Sequence, residues 1–262
     1  MSDYERNVTT APFGQAMGHA GTVAVDEGLR AYMLRIYNYM VLGLAITGLA
    51  ALGTYMLSVT TDPSIAALKM RDGLMLTAFG KALFVSPLKW VVIFAPLALV
   101  FFISARINSM SLGTAQITFW IFAALMGASI SSIFLVYAGE SIARVFFITA
   151  ASFGALSLWG YTTSRDLSGW GSFLFMGLIG VIIASLVNLF IGSTALQFAV
   201  SVIGVLVFAG LTAYDTQSIK EMYSVNDDGS VSGRKAVMGA LRLYLDFINL
   251  FMLLLQLFGN RR

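Results

Sequence analysis

The sequence predicts an all-α membrane protein of seven transmembrane helices, on three observations. Of its 262 residues, 58% are hydrophobic and the mean hydropathy is +0.83. Only 11% are charged, against roughly 25% in soluble domains. Seven apolar stretches reach the roughly 20 residues that a helix needs to cross the hydrocarbon core. They lie near 33–57, 88–106, 113–137, 141–161, 170–191, 195–219 and 236–258, and make up a transmembrane domain over 33–262. The 25 glycines, with many Ala and Ser, suit close helix packing in lipid.

In chain order, residues 1–32 read as a polar tail expected to be disordered. Asp3, Glu5, Arg6, Asp26, Glu27 and Arg30 stand there among small residues, and no basic region leads into a short apolar core with a cleavage site. After the first span comes the longest connection, 58–87, with Asp62, Pro63, Lys69, Arg71 and Asp72. A short apolar piece in it, Leu74–Phe79, is expected to lie at the membrane interface. Span two contains Pro96, expected to kink it. Spans three to six are joined tightly. Span four opens with Glu140 and Arg144 at a four-residue spacing, expected to form an ion pair. In span five Gly180, Ala184 and Asn188 recur every four residues, which predicts tight packing and an interhelical hydrogen bond. Trp90, Trp159 and Trp170 read as interface anchors. Gly177–Gly180, GLIG, is helix packing and not a nucleotide loop, because no strand precedes it. A polar loop over 220–235 separates spans six and seven.

Lys and Arg favour the cytoplasmic side of a membrane protein. With the N-terminus inside, Arg6, Arg30, Arg35, Arg106, Arg165, Lys220, Arg234 and Lys235 lie inside, and Lys69, Arg71, Lys81, Arg261 and Arg262 outside. Eight against five predicts a cytoplasmic N-terminus and an external C-terminus. Asp215, Asp246 and Arg106 then share one half of the membrane.

Several functions are excluded. There is no cysteine, hence no disulfide and no thiolate chemistry, and the single histidine, His19, lies in the tail. A histidine triad within the membrane and a HExxH protease both fall away. Span seven has no lysine for a retinal Schiff base, and no Lys/Arg run suggests nucleic-acid binding. Seven spans without an internal repeat weigh against an inverted-repeat transporter.

The chemistry concentrates in the last fifty residues. Asp215 and Asp246 stand in consecutive apolar spans, where a carboxylate costs several kcal/mol unless it is paired, protonated or facing water. On span seven Arg242, Asp246, Asn249, Leu253 and Gln256 share one helix face, and on span six Ser201, Gly204, Phe208, Thr212 and Asp215 share another. Polar stripes in a membrane helix face protein or water, so both are expected to face the bundle interior and to meet. Arg242, Asn249, Gln256 and Thr212 would then line a pathway beside the pair. Two carboxylates in one dry site titrate in two coupled steps. They also offer oxygen ligands to a hard cation such as Ca²⁺. The bland alternative is that Asp246 pairs with Arg242 four residues away and Asp215 marks the membrane boundary.

These residues resemble the Bax inhibitor-1 family, also called the transmembrane Bax inhibitor motif family, in its bacterial branch. The resemblance is carried by SFLFMGLIG at Ser172–Gly180, VNLF at Val187–Phe190 and FAGLTAYDTQSIKEMY from Phe208 to Tyr223. ESIARVFFITAASF at Glu140–Phe153, GYTTSRDLS at Gly160–Ser168 and YLDFINLF at Tyr244–Phe251 are similar to further family segments. The resemblance implies six helices around a central last helix and a pH-sensitive calcium leak in the bacterial inner membrane. The family's paired aspartates correspond to Asp215 and Asp246, and the arginine that meets them in the closed form corresponds to Arg106. The resemblance also implies roles in survival under stress and, for some members, in modulating a membrane-bound protease. The loop over 220–235 is longer than in the simplest members.

Two other functions compete with the leak. One is a non-conducting regulator that binds a membrane protease or another partner through the tail and loop. The other is an intramembrane aspartyl protease, which also uses two aspartates on neighbouring helices, the second in a GxGD motif. Leu243, Tyr244 and Leu245 precede Asp246 here, and no glycine admits a substrate backbone. The chain is therefore expected not to be an enzyme and to need no cofactor, with Ca²⁺ as a permeant ion and the lipid bilayer as its surroundings.

Overall fold

The computed structural model describes residues 13–70 and 74–261, with side chains from Glu27 onward. Expectations for residues 1–12, the His19 side chain, Arg71, Asp72 and Arg262 lie outside the described residues.

Among the described residues, seven helices are long and apolar enough to cross a membrane: Glu27–Ser58, Leu88–Ser109, Leu112–Val136, Gly139–Thr162, Ser168–Ile191, Thr194–Glu221 and Gly229–Phe258. The chain is an all-α multi-pass membrane protein. Its helices are α1 (Phe13–Ser58), α2 (Ala78–Phe84), α3 (Leu88–Arg106), α4 (Leu112–Ile130), α5 (Ile133–Val136), α6 (Gly139–Thr162), α7 (Ser168–Ile191), α8 (Thr194–Glu221) and α9 (Gly229–Phe258). Side-chain caps fix several starts. Ser111 accepts from Thr114 N, Ser193 from Leu196 N and Asp228 from Val231 N, each satisfying a donor that the first helical turn leaves open. α7 ends at Gly192, whose φ of 67° needs a residue without Cβ.

α9 is the most buried helix. In its most apolar window 72% of residues are buried, against 11–33% in the other spans. It packs on α1, α4, α6 and α8, while α3 packs chiefly on α4, and α7 on α8. The α1/α4/α9 junction is closed by Tyr244, fully buried, with Phe119 and Phe122 edge-on to its ring. Its hydroxyl lies 2.6 Å from that of Thr47, which also reaches Ala123 O at 2.9 Å.

The structure departs from expectation in several places. α1 runs from Phe13, well before the span expected to begin near 33. The apolar piece in the 58–87 connection is built into a sheet that the sequence did not announce. Met75–Leu76 is the central strand of a small antiparallel sheet, ordered β1 (Val59–Thr60), β3 (Met75–Leu76), β2 (Leu68–Lys69), and α2 follows it. Glu140 and Arg144 form no ion pair: among the described residues the one ion pair joins Lys235 to Asp227. Asn188 makes no interhelical bond of the kind expected. Its Oδ1 accepts from Ser193 N at 3.0 Å and shapes the turn between α7 and α8. The connection before α9 is shorter than expected, because the Asp228 cap starts that helix at Gly229 and turns Gly229–Lys235 into its first two turns.

Candidate functional site

The two polar stripes meet along the seam where α8 and α9 run antiparallel. At one end, Ser201 Oγ lies 3.0 Å from Gln256 Oε1 and donates to it. One turn along, Gly204 faces Leu253 so closely that an added Cβ would stand 2.8 Å from Leu253 Cδ1. Further along, the Asp215 and Asp246 carboxyl groups come close enough on the seam to act on each other. An ionised carboxylate only accepts, so a hydrogen bond between them requires one proton held by the pair. Asp246 is 5% exposed, and its Oδ2 is buried without a partner. A buried oxygen in that condition is costly.

The other predicted residues are placed less uniformly. Of the α9 stripe only Asp246 is buried; Asn249 is half-buried and bonds to Leu245 O of its own helix at 2.8 Å, while Arg242 and Gln256 are exposed. The stripe therefore runs along the edge of the seam and does not point wholly inward. Thr212 is buried, but its hydroxyl is satisfied by Phe208 O at 2.8 Å. Arg106 is exposed in the last turn of α3 and makes no ion pair with Asp215 or Asp246. That turn buries Ile103, and Arg106 stands on its exposed side. The cation whose field reaches both carboxyl groups is Arg242, one helical turn before Asp246.

Residues 29–262 match the family described as inhibitor of apoptosis-promoting Bax1. This chain belongs to the Bax inhibitor-1 family. The chain is 47% identical over 262 residues, the full length of both proteins, to RP147 of Rickettsia prowazekii (strain Madrid E). It is 46% identical over 237 residues to the inner membrane protein YbhL of Escherichia coli K12, covering 90% of this chain and 94% of that protein. It is 37% identical over 235 residues to a membrane protein of Streptococcus pyogenes serotype M3, covering 90% and 95%.

Around the aspartates of this Bax inhibitor-1 protein, the AYDTQSIK block positions α8 against its neighbours. Thr216 Oγ1 lies 2.9 Å from Ser157 Oγ on α6, which lies 2.6 Å from Tyr37 OH on α1. Gln217 receives Leu167 N at 2.8 Å and donates to Arg165 O at 2.9 Å, fastening the α6–α7 loop. Lys220 Nζ donates to Tyr161 O at 2.9 Å, at the carbonyl end of α6 where a cation is favoured. Gly160 allows the contact: an added Cβ would meet the Ala213 backbone, its carbonyl carbon at 2.9 Å. Sequence reasoning did not single out Thr216, Gln217, Ser157 or Tyr37. Their signal was available in the block itself, where polar residues occupy successive faces of one apolar helix and so point to several neighbours at once.

Proposed function

We propose that this protein is a pH-sensitive calcium leak of the bacterial inner membrane, with Asp215 and Asp246 as the proton-sensing pair that a passing cation touches. The observation that carries this reading is the meeting of two carboxyl groups on the α8/α9 seam, one with a buried oxygen left unpartnered. Two carboxylates fall well short of the six to eight oxygens of a firm Ca²⁺ site, so the pair suits transient contact and not storage. The location is supported by the name of YbhL, an inner membrane protein, and by the seven spans. The charge distribution favours a cytoplasmic N-terminus and an external C-terminus.

The proton has two effects at this seam. Shared between the carboxyl groups, it ties α8 to α9 by a hydrogen bond and lowers the charge that draws a cation. When it leaves, two like charges face each other in a poorly screened place, which loosens the seam and attracts Ca²⁺. Arg242 moderates that repulsion from the rim. The test is calcium efflux from loaded liposomes as pH is varied, for wild type, Asp215→Asn and Asp246→Asn. The wild type should respond to pH and each variant should have a flattened response. Folded wild type without flux would overturn the leak and favour the non-conducting regulator. Unchanged profiles in both variants would remove the pair as sensor.

A further inference from the structure

Away from the α8/α9 seam, a groove of about 1070 Å³ opens along the flank of the bundle. Its walls are α1 and α6, and Phe247 of α9 forms part of its floor. α1 packs on α4 and α9, and α6 on α8 and α9, so the wall helices are carried side by side on α9. The lining is almost wholly apolar through the middle, with Val41 and Leu52 on one wall and Phe146 on the other. Gly48 and Gly154 also line it, and an added Cβ at either would meet nothing within 4 Å. In lipid, glycines of this kind usually bring two helices together; these two look onto open space.

Polar groups gather at one end, where Arg30, Tyr37, Ser157 and Tyr161 line the groove. Arg30 is exposed, and Lys220 Nζ stands 5.2 Å from the centre of the Tyr161 ring, so a second cation borders the same mouth. Among the described residues the one ion pair, Lys235 with Asp227, involves neither.

We propose that this groove holds an acyl chain of an anionic phospholipid whose phosphate is met by Arg30. An apolar channel of this size open to the bilayer does not fill with water, because water needs polar partners that the walls lack. It matches the upper range of ligand sites, about 300–1,000 Å³, and hydrocarbon is the solvent at hand. The cationic mouth selects the head group: a basic residue at the membrane surface favours an anionic lipid by about fivefold. This site is independent of the aspartate pair and stands whether or not the protein conducts calcium.

The experiment is native mass spectrometry of the full chain released from detergent micelles with phosphatidylglycerol and phosphatidylcholine at equal concentration. The wild type should retain phosphatidylglycerol in preference, and Arg30→Gln should keep bound lipid but lose about fivefold of that preference. A Gly48→Leu/Gly154→Leu double variant, whose new side chains enter open space, should lose the lipid adduct while keeping wild-type helicity. Wild type without an adduct, or with equal retention of both lipids, would overturn the proposal. So would an unchanged adduct in a folded double variant, or a wild-type dimer that this variant dissociates, which would assign the groove to a second copy. If the double variant does not fold, Arg30→Gln decides, and an unaltered head-group preference overturns the site.

Discussion

Two glycines on α6, Gly154 and Gly160, should respond in opposite directions to the same change. Gly160→Ala would place a methyl group 2.9 Å from the carbonyl carbon of Ala213 on α8, where carbon atoms prefer about 3.5–4.0 Å. The backbone cannot rotate away as a side chain would, so α6 and α8 must part by up to about 1 Å. Overpacking of this kind costs about 1–3 kcal/mol. Parting also stretches the Ser157–Thr216 contact from 2.9 Å past the range of a hydrogen bond, a loss of about 1 kcal/mol. Replacing a helical glycine by alanine returns about 1 kcal/mol. The net is a destabilisation of about 1–3 kcal/mol. Gly154→Ala meets nothing within 4 Å, so it keeps only the propensity gain and should stabilise by up to about 1 kcal/mol. Reversible unfolding in micelles, followed by far-ultraviolet circular dichroism as denaturing detergent is added, measures both. Equal stabilities within about 0.5 kcal/mol would refute the reasoning, because the single difference invoked is the backbone standing opposite one glycine and not the other.

Arg242→Gln should shift the pH dependence of calcium efflux while Arg106→Gln leaves it in place, because the field of Arg242 reaches both carboxyl groups and Arg106 pairs with neither; the reverse result would restore Arg106 as the partner. Asp215→Asn combined with Asp246→Asn should change the efflux profile less than the two single effects added, since coupled titrations are not independent, and strict additivity would separate the two sites. Tyr244→Phe should cost about 0.5–1.5 kcal/mol in the same unfolding assay, the worth of one hydrogen bond, because Thr47 keeps Ala123 O as a partner; Tyr244→Ala should cost several times more. In the α6–α7 loop the Ser168 hydroxyl and backbone N–H hold the Asp166 carboxyl below the ordinary carboxylate range. The turn's contribution is therefore complete above the ordinary Asp pKa and is lost as pH falls through the depressed value; carbon-detected NMR should find that value rising toward the ordinary range in Ser168→Ala.

The spans were legible because the bilayer imposes one demand, some twenty apolar residues, and each helix meets it inside its own sequence. That the polar stripes of α8 and α9 face each other was legible for a related reason. A polar stripe in lipid must find a partner, and two stripes on consecutive spans have each other at hand. What escaped reading depends on groups outside the window. The start of α9 lies in a polar stretch, and its decisive feature is the Asp228 side chain turning back to Val231 N, which hydropathy does not register. The strand at Met75–Leu76 is two residues long and exists only through its neighbours on both sides. The exposure of Arg106 depends on which face of α3 packs inward, and the uniformly apolar sequence of that helix marks no face strongly. The Tyr37–Ser157–Thr216 chain joins three helices through hydroxyls that are unremarkable one at a time.

The most enclosed helix of the bundle follows the other six spans in chain order and is synthesised after them. While α9 is still being synthesised, α1, α4, α6 and α8 have been delivered to the membrane without the surface they are shaped to fit. Asp215 then has no second carboxyl to share a proton with, Ser201 has no Gln256, and Thr47 has no tyrosine hydroxyl. A chain stopped before Gly229 would lack the surface on which α1, α4, α6 and α8 pack. Arrival of the thirty residues of Gly229–Phe258 supplies at one stroke the partners that these earlier spans lack.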